Sequence, residues 1–377
     1  MSALTLDDVS KVYPGSKERS VDAVSMAIRD GEIIALLGSS GCGKTSTLRM
    51  VAGFESVTSG TIRIGETVIN RLKPSERQVA MAFEGYALYP PLKVRDNIAF
   101  SLLRGRTPRA EIDKRVNAVS DMLEIGPLLE KYPPSISGGQ QQRVSLARAL
   151  VRDASAYLLD EPMSQLEPQL RALLRARIKD HMTLHKMTTV IVTHDQTEAM
   201  ALSDRVAVMD KGVLQQFATP EELRERPANL FVASFIGEPP MNLYEAEVAG
   251  GELVVLDDAG RAAFRIPCQS DEFAGRQRLR VGIRPHRVHL GGDAEPGAAP
   301  ATASGIAILR GEVLSNHWLG DHSHAGIAVN GCFLIAVADR HVAAPVGSQA
   351  VLRIPRDAIH IFDDESGVAV AHGLRGA

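Results

Sequence analysis

The most restrictive stretch of this chain is the apolar run Ile33-Ile34-Ala35-Leu36-Leu37 followed at once by Gly38-Ser39-Ser40-Gly41-Cys42-Gly43-Lys44-Thr45. An unbroken apolar run suits a strand buried on both faces. Residues 45–51 have the spacing of a helix, so the glycines lie between a buried strand and a helix N-terminus. Glycines there let backbone amides wrap a phosphate, and the helix dipole favours the same negative charge. Lys44 neutralises the β- and γ-phosphates and the Thr45 hydroxyl ligates magnesium, so the implied ligands are ATP and Mg2+. Ser39, Gly41, Cys42, Gly43, Lys44, Thr45 and Ser46 are the expected nucleotide contacts.

Strand and helix patterns alternate around this loop. Residues 112–129, 139–152 and 169–185 carry helical spacing, while 156–159 and 189–192 are short apolar strands, which makes the first part an α/β fold with a mostly parallel sheet. Beyond about Pro239 the helical periodicity fades. Short strands at 252–256, 279–283, 306–313 and 350–354 have the rhythm of a small barrel, and 291–304, rich in Gly, Ala and Pro, is expected to be an exposed loop. A chain of 377 residues exceeds what one core usually organises. Two domains are expected, 1–238 and 239–377, and one phosphate loop means one nucleotide site.

A formal net charge of -3 offers no field for nucleic acid and no polybasic membrane patch. Three widely spaced cysteines, Cys42, Cys268 and Cys332, argue against a disulfide framework and for a reducing compartment. The N-terminus has no secretory pattern, and no apolar run approaches the roughly 20 residues that span a bilayer. If a membrane is involved, another chain must cross it.

Tyr157-Leu158-Leu159-Asp160-Glu161-Pro162 brings two carboxylates to the end of a buried strand, at the sheet edge that carries the phosphate loop. Asp160 is placed to hold magnesium and Glu161 to polarise the attacking water as general base. Ser137-Gly138-Gly139-Gln140 opens a helix, and a pair of glycines at a helix N-terminus forms a second anion site. By itself Ser137 would also suit a plain helix cap.

With these motifs together, the chain resembles the ABC ATPases: Ser135-Ile136-Ser137-Gly138-Gly139-Gln140-Gln141-Gln142-Arg143 is similar to that family's signature loop. The resemblance covers essentially the whole chain and is nearest to the motor subunits of binding-protein-dependent sugar importers of the maltose type. It implies a P-loop NTPase with a RecA-like core, an antiparallel β subdomain and a helical subdomain at about 88–153, followed by a small all-β, oligonucleotide-binding-type (TOBE) barrel domain. Phe231-Val232-Ala233-Ser234-Phe235-Ile236-Gly237 with Met241-Asn242 resembles the junction to that domain, and Val281-Gly282-Ile283-Arg284-Pro285 resembles one of its strands. The second domain would assist dimerisation and receive regulatory signals.

Residue roles follow from the resemblance. His194, in Val192-Thr193-His194-Asp195, matches the switch histidine that contacts the γ-phosphate; Tyr13 occupies the place of the aromatic that stacks on adenine, although an edge-strand tyrosine is unremarkable. Two positions depart from the family pattern. The Q-loop glutamine is Glu84, which still suits magnesium but adds charge and removes an amide donor, and the D-loop aspartate is Glu167. These changes either retune hydrolysis or are tolerated drift. Residues 86–91, after Glu84, would line a socket for a membrane-subunit helix, a buried structural loop being the alternative.

The implied assembly is a head-to-tail pair of ATP-binding subunits, identical or not, on two transmembrane permease subunits at the cytoplasmic face of the inner membrane, served by an extracytoplasmic substrate-binding protein. Sugar, glycerol or glycerol phosphate is the implied cargo, with polyamine, iron or inorganic anion as alternatives. A soluble ABC ATPase of translation or DNA repair would need two cassettes or a coiled-coil insertion, which are lacking. A low-turnover regulatory switch is favoured by Glu84 and Glu167 and opposed by intact Lys44, Asp160, Glu161 and His194. His317, His322 and His324 invite a metal reading, with surface histidines as the plainer account.

Overall fold

A computed structural model describes residues 2–374 apart from 104, 106, 269–272, 274–275, 277, 292–305, 339–341 and 343. The loop expected at 291–304 therefore lies, after Gly291, outside the described residues. The chain divides into two compact units, Met1–Pro220 and Glu221–Ala377.

The first unit opens with β1 (Leu4–Val12), β2 (Arg19–Ile28), β3 (Ile33–Gly38), α1 (Lys44–Ala52), β4 (Ser59–Ile64), β5 (Thr67–Val68) and β6 (Val79–Ala82). Three helices follow: α2 (Val94–Leu103), α3 (Arg109–Met122) and α4 (Gly138–Leu150). Then come β7 (Ala156–Asp160), α5 (Pro168–Leu184), β8 (Thr189–Thr193), α6 (Gln196–Leu202), β9 (Arg205–Asp210) and β10 (Val213–Ala218). The main sheet has the order β10-β9-β3-β8-β7-β6, all parallel except the β9–β10 hairpin. Every residue of β3, β7 and β8 is buried, as expected of strands covered on both faces. A separate antiparallel sheet, β2-β1-β4-β5, shares its apolar face with α1 and β3 through Leu4, Leu6, Val24, Leu36 and Leu48. The helices α2, α3 and α4 close a second cluster that includes Ile98, Val116 and Val144.

The helix expected over 112–129 is shorter. It ends at Met122, Glu124 turns into left-handed φ (53°), and Gly126-Pro127 starts a 3-10 turn. The apolar spacing continued because Leu123, Ile125, Leu128 and Leu129 stay buried through that turn rather than along a helix. Another feature, which no sequence pattern announced, is the buried Arg77. It donates to the carbonyls of Met50 (2.6 Å) and Val51 (2.9 Å), capping the C-terminal end of α1, and to those of Leu72 and Asn70.

The second unit takes in α7 (Pro220–Glu225), α8 (Leu230–Phe235), β11 (Asn242–Ala249), β12 (Glu252–Leu256), β13 (Ala262–Pro267), β14 (Leu279–Ile283) and β15 (His289–Gly291). It continues with β16 (Ile306–Trp318), β17 (Ser323–Val329), β18 (Cys332–Ala338), β19 (Gln349–Pro355), β20 (Ile359–Asp363) and β21 (Ala369–His372). These strands form two antiparallel sheets, β13-β12-β11-β14-β20-β21 and β15-β19-β16-β17-β18, around one apolar core. The strand expected at 306–313 runs on to Trp318 because a bulge between Val313 and Ser315 lets the pairing with β17 continue.

The boundary expected after 238 falls inside this unit, and Arg284 is the reason. Only 2% exposed, it follows β14 and donates to the carbonyls of Arg224 (3.0 Å), Ala233 (3.0 Å) and Ile236, so α7 and α8 belong to the β domain. Burial pushes its pKa down to about 10, which still leaves it charged near neutrality. Replacing Arg284 by Met leaves those carbonyls buried without donors, and each such orphan costs about 1–3 kcal/mol. The second unit should lose about 3 kcal/mol of stability. Urea unfolding followed by the fluorescence of the single tryptophan, Trp318, checks this.

Candidate functional site

The phosphate loop needs its glycines for space. A Cβ on Gly38 would come within 2.3 Å of the Met209 carbonyl oxygen; Gly43 has φ 101° and its Cβ would meet the Ser20 carbonyl at 2.3 Å. The chain can therefore turn tightly from β3 into α1. A cavity of about 510 Å³ opens there, lined by Ser40, Gly41, Gly43, Lys44, Thr45, Ser46, Glu84, Glu161 and His194 together with Ser20.

Lys44 is folded onto the loop itself, its ammonium donating to the carbonyls of Gly38 (2.7 Å) and Ser39 (2.8 Å). Thr45 Oγ1 lies 3.4 Å from Asp160 Oδ1, so α1 and the end of β7 meet at one point. Asp160 is 3% exposed. Burial, followed by the negative charge of Glu84, pushes its carboxyl up to about 6, with Arg49 opposing. Glu161 then takes φ 46°, an αL conformation uncommon for a residue with a side chain. Its N–H still bonds the Val192 carbonyl (2.9 Å), while its carboxylate Oε1 reaches His194 Nδ1 at 3.0 Å. The turn is held from below by Gln142 of α4, whose amide donates to the Glu161 carbonyl (2.9 Å) and accepts from the Gln165 N–H (3.0 Å).

His194 itself is 63% side-chain exposed and stands on a supported turn. Asp195 caps α6 by accepting from the Glu198 N–H, and buried Glu198 bonds the Thr193 hydroxyl at 2.7 Å, its carboxyl raised by burial to about 7.

The expected site residues thus fall into two groups. Gly41, Gly43, Lys44, Thr45, Ser46, Glu84, Glu161 and His194 converge on the cavity, with Asp160 beside Thr45. Tyr13, Ser39, Cys42, Ser137, Gly138, Gly139, Gln140 and Glu167 are not among its lining residues. Tyr13 places its hydroxyl 3.0 Å from Ser46 Oγ; Cys42 is buried, and its thiol pKa is raised by that burial. Ser137 and Gln140 form a reciprocal capping box at the start of α4, and Glu167 is the N-cap residue of α5 without a side-chain cap bond. Sequence reasoning missed Gln142. Three successive glutamines gave no sign of which one turns inward, a distinction set by the 100° step of the helix.

Comparison with known proteins fits this geometry. The ABC transporter family profile matches residues 21–164 and the TOBE domain profile matches 281–362. The chain belongs to the ABC transporter ATPases, and it binds ATP. Within that family it is 43% identical over 370 residues to an sn-glycerol-3-phosphate import ATP-binding protein of Cereibacter sphaeroides, covering 97% of this chain and 99% of that one. It is 41% identical over 381 residues to a xylose/arabinose import ATP-binding protein of Haloferax volcanii, covering 98% and 96%. A solved dimeric ATP-binding cassette in a post-hydrolysis state, bound to ADP and Pi, superposes with a TM-score of 0.53 at 27% identity, over 57% of this chain and 98% of that one. Among the described residues no helix is long and apolar enough to cross a membrane, and no group of three or more His, Cys, Asp or Glu is placed to hold a metal, the His317, His322 and His324 region included.

Asp160 gives a stability prediction. Its carboxyl is raised in the fold, so the penalty for its charge is absent below the unfolded value near 3.8 and fully present above about 6. Two pKa units correspond to about 3 kcal/mol. Asp160→Asn should therefore stabilise the nucleotide-free protein by that order at pH 7.5 and leave it unchanged at pH 3.5, as judged by chemical unfolding at both pH values. Glu84→Gln removes a neighbouring negative charge and should give a smaller gain of the same sign at pH 7.5.

Proposed function

We propose that this chain hydrolyses ATP to drive an importer of carbohydrate, polyol or glycerol phosphate, with the roles expected from its sequence. The observation that carries the reading is the convergence of Lys44, Thr45, Asp160, Glu161 and His194 on one cavity, while the Ser137–Gly139 turn of the same chain is not among its lining residues. Such a site is completed by a second ATP-binding subunit, whose signature turn covers the nucleotide held here. The dimeric solved cassette supports that arrangement.

In this reading the Lys44 ammonium exchanges the carbonyls of Gly38 and Ser39 for β- and γ-phosphate oxygens, and Tyr13 leaves Ser46 to stack on adenine. Glu161 accepts the proton of the attacking water; His194, bonded to the same carboxylate, holds it in place and reaches the γ-phosphate. Magnesium fits the donors present. Glu84, Asp160 and Glu161 bring three carboxylates to the phosphate end, where burial first and the charge of Glu84 second raise the Asp160 carboxyl. Thr45 and Asp160 would hold the ion, with Glu84 beside them; when bound it neutralises phosphate charge. Glu167 would lie at the seam between the two subunits. The contact between Glu161 and His194 favours turnover over a low-turnover regulatory switch.

One of the two transmembrane permease subunits would dock on the groove of about 320 Å³ formed by Phe54, Met81, Phe83, Tyr89 and Phe100, with Arg148 and Arg152 also lining it. Phe54 and Phe83, and Tyr89 and Phe100, form ring pairs at 5.4 and 4.5 Å that make the groove a preformed apolar socket. The chain would then sit at the cytoplasmic face of the inner membrane, with an extracytoplasmic binding protein delivering the cargo. Both import relatives carry sugars or a polyol phosphate by name, which supports that cargo class.

Co-purifying the tagged chain with its membrane subunits and assaying ATPase with and without the binding protein tests this. Magnesium-dependent hydrolysis stimulated by a sugar or glycerol phosphate on the binding protein is expected; a complex that never hydrolyses ATP overturns the reading. Glu161→Gln should lower the turnover number at least 100-fold while the ATP dissociation constant changes less than threefold. A rapid-quench and filter-binding pair of assays reads both.

A further inference from the structure

The loop between Glu84 and Tyr89 is held in an unfavourable shape by one side chain. Tyr86 and Ala87 are consecutive non-glycine residues in the left-handed region, with φ 59° and 49°. Isolated αL residues are uncommon outside glycine, and two in succession persist only where their surroundings hold them. The local backbone contributes little: the Tyr86 N–H bonds the Phe83 carbonyl at 3.1 Å and the Ala87 N–H closes a tight turn on Gly85. Arg148, two residues before the end of α4, supplies the rest. Its guanidinium donates to the Ala87 carbonyl (2.7 Å) and the Tyr86 carbonyl (3.0 Å) and lies 5.7 Å from the Tyr89 ring centroid.

The same loop touches the other end of α4. A Cβ built on Gly138 would come 3.4 Å from the Tyr86 hydroxyl, so the tip of Tyr86 rests against the signature turn. The far side of the loop is fastened by buried Asn97, which donates to the Tyr89 and Leu92 carbonyls and accepts from the Tyr89 N–H. Three things are therefore joined through this loop: Glu84 at the nucleotide cavity, Tyr89 and Ala87 in the aromatic groove, and α4 with Ser137–Gly139 at its start. Gln142 of that helix also supports the Glu161 turn.

We infer that Arg148 is a positioning residue that clamps the groove loop to α4, so that pressure from a permease helix in the groove is delivered through Tyr86 to the signature turn covering the neighbouring subunit's nucleotide. The inference rests on the groove being the permease socket. A rigid clamp is needed because a loop free to leave its left-handed turn would absorb the displacement instead of passing it on. The guanidinium's rigid planar fork fixes the direction of both bonds, whereas an ammonium on a flexible stem can meet carbonyls without fixing their orientation.

The test uses the transporter assembled with its membrane subunits, comparing wild type with Arg148→Met, Arg148→Lys and Tyr86→Phe. Stimulation by liganded binding protein in the wild type comes first, since its absence would remove the importer reading and this inference with it. Given stimulation, Arg148→Met should lower the stimulated turnover number about tenfold with the KM for ATP within twofold, and Arg148→Lys should fall between it and wild type. Tyr86→Phe, which keeps the clamp but loses the hydroxyl against Gly138, should lose about threefold. Stimulated turnover within twofold of wild type in an assembled Arg148→Met transporter overturns the inference. Should Arg148→Met fail to assemble, Arg148→Lys decides: a loss of threefold or more supports the clamp, and wild-type turnover overturns it.

Discussion

A carboxylate placed at the end of a wholly buried strand is the constraint from which the catalytic unit is built. β7 delivers Asp160 into a position where water cannot solvate its charge, and the neighbouring Glu84 makes matters worse rather than better. Such a group destabilises the nucleotide-free fold, because ionisation in low dielectric is costly. Everything nearby makes sense as compensation or use of that charge. Thr45 approaches it from the start of α1, and Glu161 turns away through a left-handed backbone to face His194. The two adjacent acids of one dipeptide are thus separated by conformation, Asp160 toward Thr45 and Glu161 toward His194.

The supports of this arrangement are drawn from elements far apart in sequence. Gln142 reaches from the helix behind the signature turn to the carbonyl of Glu161 and the N–H of Gln165; Arg148 of the same helix reaches to the loop after Glu84. One helix therefore braces the Glu161 turn, the Gln165 backbone and the loop after Glu84 together. Buried hydrogen bonds of this kind fix geometry more than they add stability, since their net worth is modest but the loss of one partner is costly. In a site whose rate depends on sub-ångström placement, that rigidity matters.

Much of this was legible beforehand, and the limits have physical causes. The phosphate loop and Asp160-Glu161 lie in short motifs that follow an apolar strand, so the sequence pattern pointed to them, whereas His194 was singled out through the family resemblance; all of them lie at or beside one cavity. Strands 252–256 and 279–283 came out at the observed bounds because short apolar stretches there stop at turn residues, Gly250-Gly251 and Asp257-Asp258 around the first and Arg284-Pro285 after the second. The end of α3 was missed because Leu123, Ile125, Leu128 and Leu129 keep helical apolar spacing while the backbone has already turned at Glu124. Arg77, Gln142 and Arg148 were illegible for a common reason: each works by donating to main-chain carbonyls, which exist at every residue and leave no mark in a sequence. Arg284 was noticed within a strand pattern, but its partners on α7 and α8 were not.

The carbonyls gathered by Arg284 also define where the motor can be severed. An excision after residue 238 would carry α7 and α8 away from the guanidinium that satisfies them, leaving both fragments with exposed, unsatisfied backbone and a hydrophobic α8 face that includes Ala233. A split near Pro220 leaves that anchorage whole. Gene fusions, domain exchanges and minimal catalytic fragments of this chain therefore have a natural seam upstream of the two short helices rather than downstream of them.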